Sequence, residues 1–500
     1  EQVRRRHEGE LADYAEAARL ALEACGRACE RIAAGVATLA QDPRALEAFQ
    51  FANRAMWLQR VHTIRAESVR RGEVPDPKAI DQPGNRSWRL FQLAFILLNL
   101  PGCADLNHPD RGMDPQATAD LLWFPTGGGK TEAYLGLTAF VLGLRRLQGV
   151  VAGRRGDEGL AVLMRYTLRL LTLQQFQRAT ALICACETIR RKALAQHDTR
   201  WGHKPFRIGL WVGAKTTPNS TERANEAARE LRGQTKGAPT GISSPAQLTN
   251  CPWCGCKIDP GRDLKVETSQ QGRGRTLLFC GDPLGGCAFS AAKAPDEGLP
   301  VLVVDDEIYR YPPDLMIATV DKFAQLPWRG ETQMLFGQVN RWCPRHGFLS
   351  PSIEHPDRHT ATDSQAAATV IDHAPLRPPD LIIQDELHLI SGPLGSLVGL
   401  YETAIDRLSA WEVNGHWVRP KVIASTATIR QAQDQVHRLF MRRVAVFPPH
   451  GLDLDDNFFA IRRVPSPDYP GRRYLGICAP GERLKSTLIR AYIAFLASAQ

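Results

Sequence analysis

Apolar and polar positions along this chain fall into blocks of two kinds. Some are long stretches with apolar residues three and four apart, and others are short unbroken apolar runs that end in polar or charged residues. The long stretches predict helices over 11–40, 45–65, 132–147, 394–411 and 486–499, and a further helix that opens within 167–175. Pro43 separates the first two, and the second carries Phe49, Ala52, Met56 and Leu58 at helical spacing. The short runs predict strands over 160–166, 207–213, 301–304, 315–319, 381–384, 421–426 and 474–478. Strands alternating with helices make the fold class α/β. Turn chemistry in Val74-Pro75-Asp76-Pro77 and Pro83-Gly84-Asn85 marks a linker, and 216–241 is polar and glycine-rich. The stretch 329–379 is rich in Pro, His and Asp without a period and reads as an insertion or long loop, and 444–470 reads as an irregular, proline-bearing linker.

Three apolar runs end in residues that carry chemistry. Leu121-Leu122-Trp123-Phe124 leads into Pro125-Thr126-Gly127-Gly128-Gly129-Lys130-Thr131, and a helix follows at once. A glycine turn between strand and helix points backbone N–H groups inward at the positive end of the helix, which suits phosphate. There the Lys130 ammonium reaches the β and γ phosphates of a nucleotide, and the Thr131 hydroxyl ligates Mg2+. A strict phosphate loop has glycine where this chain has Phe124. The run over 381–384 ends in Asp385-Glu386-Leu387-His388, and Lys421-Val422-Ile423-Ala424 ends in Ser425-Thr426-Ala427-Thr428. In that order, each at a strand end, the three stretches resemble motifs I, II and III of superfamily 2 helicases, whose motif I tolerates a non-glycine at the Phe124 position.

The resemblance implies a RecA-like parallel sheet that binds ATP and Mg2+. Thr126, Gly127, Gly128, Gly129, Lys130 and Thr131 would cradle the phosphates, with Thr131 on the Mg2+ directly and Asp385 on it through water. Glu386 would orient and deprotonate the attacking water, Lys130 would offset charge on the γ-phosphate, and His388 would bridge to Ser425 and Thr426 to report the nucleotide state. Gln92, within Trp88–Ile96, stands where the superfamily often places an amide that pairs with both edges of adenine; the other reading is a solvent-facing glutamine on an apolar helix. Arg165, Thr167, Arg169, Thr319 and Lys322 stand where the superfamily grips the sugar-phosphate backbone of nucleic acid. Val301-Leu302-Val303-Val304-Asp305-Asp306-Glu307 is a rival for the magnesium strand. Against it, Tyr309 follows where a histidine would stand, no Ser/Thr-Ala-Thr strand comes soon after, and the backbone-gripping segment lies downstream of it.

The wording of 124–134 and of 384–396 is similar to the DrmA helicase family of bacterial DISARM phage-defence systems. That implies a bacterial cytoplasmic protein working on DNA, single-stranded or with single-stranded ends, beside a second defence subunit. It also implies a longer protein, since only one strand and one helix of a second RecA-like domain precede Gln500. An RNA-directed motor and an ATP-gated DNA-binding scaffold are the alternatives.

Composition refines the picture in three places. Five hundred residues exceed one ordinary core. The pattern divides them into a helical accessory region over 1–85, a first RecA-like domain over 86–215 and 301–465 interrupted by 216–300, and the start of a second over 466–500. A net charge of +9 favours a polyanionic partner, and no run of about 18 apolar residues is present to span a membrane. Among the twelve cysteines, the tight knuckle Cys251-Pro252-Trp253-Cys254-Gly255 with Cys280 and Cys287 predicts a structural zinc ribbon, with Cys256 a rival ligand. Cys343-Pro344-Arg345-His346, with His355 or His359, is a weaker pattern, and a second metal site is not expected from it.

Overall fold

The computed structural model describes residues 12–125, 127–167, 169–233, 243–267, 274–362, 366–426, 432–453 and 456–499. Eight of its strands form one sheet: β1 (Thr118–Trp123), β2 (Val162–Tyr166), β3 (Ile208–Trp211), β4 (Val301–Leu302), β5 (Leu315–Thr319), β6 (Leu381–Gln384), β7 (Lys421–Thr426) and β8 (Arg443–Phe447). Their spatial order is β8-β1-β7-β6-β2-β5-β3-β4, and every pairing is parallel. Parallel strands are covered on both faces, which is why β1, β2, β5, β6 and β7 are mostly apolar and are buried along most or all of their length. Register sets Leu121 beside Ala424, Ile423 beside Ile383, and Ile383 beside Met164, so the strands end level at one edge.

Among the described residues, the α-helices of six or more residues are α1 (Ala15–Gln41), α2 (Pro43–Arg70), α3 (Leu90–Ala104), α4 (Lys130–Leu147), α5 (Arg169–Ala195), α6 (Thr221–Leu231), α7 (Asp305–Arg310), α8 (Gly392–Ser409), α9 (Ala432–Phe440) and α10 (Leu484–Ser498). Asp42 breaks the first pair. Its extended backbone stops α1, its carboxylate accepts from the Arg44 N–H at 2.9 Å, and Pro43 sits where a helix needs no donor. The accessory helices share the core of the sheet. Ala45, Ala48, Ala52 and Ala55 are buried, and Phe51 lies so close to Gly143 of α4 that a Cβ there would sit 2.9 Å from its ring. Among the described residues no helix is long and apolar enough to cross a membrane.

Three expectations change. The start of the expected linker, 444–447, is β8, which pairs with β1 at the sheet's edge (Leu121 beside Val446), because a short apolar run suffices where a neighbour supplies the hydrogen bonds. The stretch 329–379 folds into small antiparallel pieces, Arg341–Cys343 with Gly347–Leu349 and Ile371–Asp372, and Arg358–His359 with Ala368–Thr369. The strand expected over 474–478 does not form: Tyr474, Leu475 and Ile477 are exposed, and 474–478 pairs with no strand among the described residues.

At the sheet edge opposite the strand ends, buried charges tie distant segments together. Asp380, one residue before β6, receives Arg111 at 2.8 Å, Arg145 at 3.0 Å and Arg377 at 3.1 Å. Lys421, at the start of β7, lies 2.6 Å from both Asp110 and Asp120, and Arg31 of α1 also reaches Asp120 at 2.6 Å.

Candidate functional site

The turn from β1 into α4 is held open by glycine. Gly127 and Gly129 take φ values of +80° and +95°, and a Cβ on Gly129 would meet the Gln92 amide nitrogen at 2.8 Å. Phe124 stands in place of a loop glycine because its ring stacks on Phe91 of α3, with centroids 3.8 Å apart and planes 11° apart. The first turn of α3 also grips the loop: Arg89 donates to the Gly128 carbonyl at 2.6 Å, and the Gln92 side chain donates to the Gly129 carbonyl at 2.8 Å. Thr126 lies outside the described residues.

Asp385 and Glu386 follow β6, two strand positions from β1, with β7 between them. Ser425, near the end of β7, donates to the Asp385 carboxylate, and the Glu386 N–H donates to the same oxygen at 3.0 Å. Glu386 has φ of +48°, a left-handed conformation costly for a glutamate, which turns its side chain out of the strand direction. Its carboxylate lies 3.4 Å from His388 Nδ1, and the same nitrogen lies 3.2 Å from the Thr426 hydroxyl. Lys130 is buried beside this group, with its ammonium 3.4 Å from the Thr426 carbonyl. The third expected stretch is thus described through Thr426; Ala427 and Thr428 lie outside the described residues.

These elements open onto one cleft of about 650 Å3 that contains Gly127, Lys130, Thr131, Asp385 and Glu386. Its other wall is α2 and the segment before α3, contributing Trp57, Arg60, Arg86 and Arg89. Arg178 of α5 enters it as well, paired with Glu132. The sequence pattern did not single out these arginines, because nothing local distinguishes them from ordinary charged positions on a helix or linker. Gln92 is neither an open amide nor solvent-facing. It is buried, with its oxygen accepting from the Arg89 N–H at 2.9 Å and its nitrogen spent on the loop. It ties the first turn of α3 to the glycine turn and also lines the cleft.

The backbone-gripping candidates divide. Thr319 ends β5 beside Tyr166, which ends β2, and Thr167 follows, so these threonines come to one edge. Arg165 and Lys322 do not present free cations there. Arg165 is 2% exposed and ion-paired with Glu402, and Lys322 is 2% exposed with its ammonium 2.6 Å from Asp305. The expectation of phosphate contact from these two side chains is corrected to internal ion pairs: cations at the ends of buried strands need a counter-ion, and the fold supplies one. The Arg169 side chain lies outside the described residues.

The rival carboxylates are distant. β4 stands six positions from β1, about 29 Å at ordinary strand spacing. Asp305 holds Lys322, while Glu307 accepts from the Thr276 N–H at 2.9 Å and from the Thr221 hydroxyl at 3.0 Å. Burial pushes the Glu307 carboxyl up to about 7 and the Asp305 carboxyl to about 6.

Away from the cleft, the Sγ atoms of Cys251, Cys254, Cys280 and Cys287 lie within 4.8 Å of one another. Separations of 4.0 Å for Cys251–Cys287 and 3.3 Å for Cys254–Cys280 are too long for disulfides. They bracket the about 3.8 Å between sulfurs around a tetrahedral zinc, so the donor set fits the ion. Cys256, the rival, is outside the cluster. The knuckle is clamped to α2, where His62 stacks on Trp253 at 3.3 Å and a Cβ on Gly255 would meet Ala66 at 2.8 Å. Cys254→Ser is expected to remove one zinc per chain and loosen this lobe, read as faster amide exchange over 251–290 with the main sheet still protected. Protection unchanged in 251–290 after the metal is lost would refute that coupling. The weaker pattern at Cys343 is corrected too: the structure gathers Cys343, His346, His355 and His359 into a second group, their ligand atoms likewise within 4.8 Å.

No family model matches the chain. Over 490 residues, 96% of its length, it is 41% identical to the DISARM protein DrmA of Bacillus paralicheniformis, and it spans 41% of that relative's length. Among solved structures, a crystal structure of the DUF1998 helicase MrfA bound to DNA is similar at 11% identity and a TM-score of 0.34, covering 75% of this chain and 30% of that one.

Proposed function

We propose that this chain, similar as it is to the DISARM protein DrmA, is the ATP-hydrolysing part of a superfamily 2 motor that moves on DNA in a bacterial defence system. One observation carries the reading: the glycine turn with Lys130 and the Asp385-Glu386 pair meet in a single cleft, joined through Ser425 and Thr426 on the strand between them. The parallel sheet is read as RecA-like, with ATP phosphates on the Gly127–Thr131 turn and Mg2+ held by Thr131 and Asp385. An ion held there would supply positive charge to offset that of the phosphates. Glu386, turned out by its left-handed backbone, would take the proton of the attacking water, and Lys130 would balance charge on the γ-phosphate. Asp385 is fixed by Ser425, and His388 touches both Glu386 and Thr426. A change at the phosphates is therefore felt on β7 without any large motion.

DNA with single-stranded character is the proposed partner, contacted along its backbone near Thr167, Arg169 and Thr319, with a second defence subunit beside it in the cytoplasm. ATP turnover of the chain should rise on adding single-stranded DNA and stay at its basal level with RNA of the same sequence. Stimulation by RNA alone would move the reading to an RNA-directed motor. Binding of ATP and DNA with no turnover, in the full-length protein, would make it a nucleotide-gated scaffold.

A further inference from the structure

We infer that Cys343, His346, His355 and His359 form a second structural zinc site, separate from the four-cysteine cluster. Cys343 Sγ lies 3.5 Å from His346 Nδ1 and 3.4 Å from His359 Nε2, and His346 Nδ1 lies 2.8 Å from His355 Nε2. A tetrahedral zinc with one sulfur and three nitrogen ligands sets such atoms about 3.3–3.6 Å apart, so small adjustments complete the shell. The three imidazoles are near-perpendicular in pairs, with centroids 4.8–5.0 Å apart and interplanar angles of 70–77°. Rings in mutual contact for packing alone have no reason to turn one nitrogen each toward a common point. His355 Nδ1 donates to the Pro356 carbonyl at 2.8 Å, which leaves the lone pair on Nε2, the nitrogen facing the cluster.

The local chain is built for this. Cys343 ends one strand and His346 precedes the next, so the Cys-x-x-His pair spans a hairpin turn. Gly347 closes it with φ of +84°, pressed so near α7 that a Cβ would lie 2.5 Å from the Arg310 carbonyl oxygen. Cys343 and His346 are buried, yet the surrounding strands are only two or three residues long, too short to stand by their own hydrogen bonds. A metal cross-link supplies what that small core lacks. One thiolate and three imidazoles suit zinc, and four protein ligands leave no position for water, so the ion would be structural. Arg310 donates to the His346 carbonyl at 3.1 Å, and α7 carries Asp305, the partner of Lys322. The site thereby braces the segment that follows β5.

Metal analysis of the chain purified without chelator tests this. Two zinc ions per chain are expected, falling to one in Cys343→Ser, in His359→Ala and in Cys254→Ser, and remaining two in His359→Cys, which keeps a ligand. One zinc in the parent, lost with Cys254→Ser, would overturn the inference, as would two zinc ions retained in Cys343→Ser. A second measurement needs no variant: alkylation of Cys343 in the parent should accelerate at least tenfold when a chelator is added. An equal rate with and without chelator would also overturn it.

Discussion

Glu386→Gln is expected to lower kcat for ATP by about 10²–10⁴-fold, the range lost when a positioned general base is removed. ATP binding should be nearly unchanged, because the substitution is isosteric and leaves the glycine turn, Lys130 and Asp385 in place. Glu386 is set apart from ordinary strand residues by its φ of +48°, with its carboxylate 3.4 Å from His388 Nδ1. Lys130→Ala should behave differently, weakening nucleotide binding as well as turnover, since its ammonium would face phosphate in both states. Steady-state kinetics with direct nucleotide-binding titrations separates the two. Parent-like turnover in Glu386→Gln, with loss in Asp306→Asn or Glu307→Gln instead, would move the chemistry to the other carboxylate cluster.

The largest stability effect is expected at Asp380, whose carboxylate is 3% exposed and faces Arg111, Arg145 and Arg377. Replacing it with alanine leaves three buried guanidiniums without their shared counter-charge, and removing one partner of a buried pair typically costs about 3–5 kcal/mol. Arg155→Ala, which breaks a half-exposed pair with Asp157, should cost less than about 1 kcal/mol. Thermal or urea denaturation compares them, and equal small losses would show that the arginines find other partners. The pH dependence has a definite sign. Burial alone would raise the Asp380 carboxyl, but Arg377, Arg111 and Arg145 hold it well below the ordinary carboxylate range. Folding therefore favours its ionised form. That stabilisation is complete above the unfolded carboxylate value of about 4 and is lost as pH falls below it. In Asp380→Ala the acid limb of the stability curve should flatten.

Local order alone determined a large part of this protein. Helix α1, the break at Pro43, the glycine turn into α4, and the apolar runs of β1, β2, β5, β6 and β7 all follow from short-range periodicity, turn chemistry and two-sided burial. The carboxylate pair at Asp385-Glu386 and the cysteine knuckle were legible for the same reason: each is a few residues of fixed spacing at the end of an element. Between Asp385-Glu386 and Asp305-Asp306-Glu307, motif order along the chain already favoured the first, and the tertiary structure adds their distances from β1. Both follow apolar runs, and strand order alone puts one pair two positions from β1 and the other cluster beyond a strand six positions away. It also reassigned Arg165 and Lys322, because a side chain's counter-ion can come from any point in the chain, here Glu402 and Asp305. Gln92 ties α3 to the glycine turn, since its partners are backbone groups that no side-chain pattern announces. The cluster at Cys343 was hidden in the same way: His346 is near in sequence, but His355 and His359 reach it only through the folding of a segment without periodicity. Periodicity and spacing report interactions within a few residues, whereas ion pairs, ligand shells and strand order are set by contacts between segments far apart in the chain.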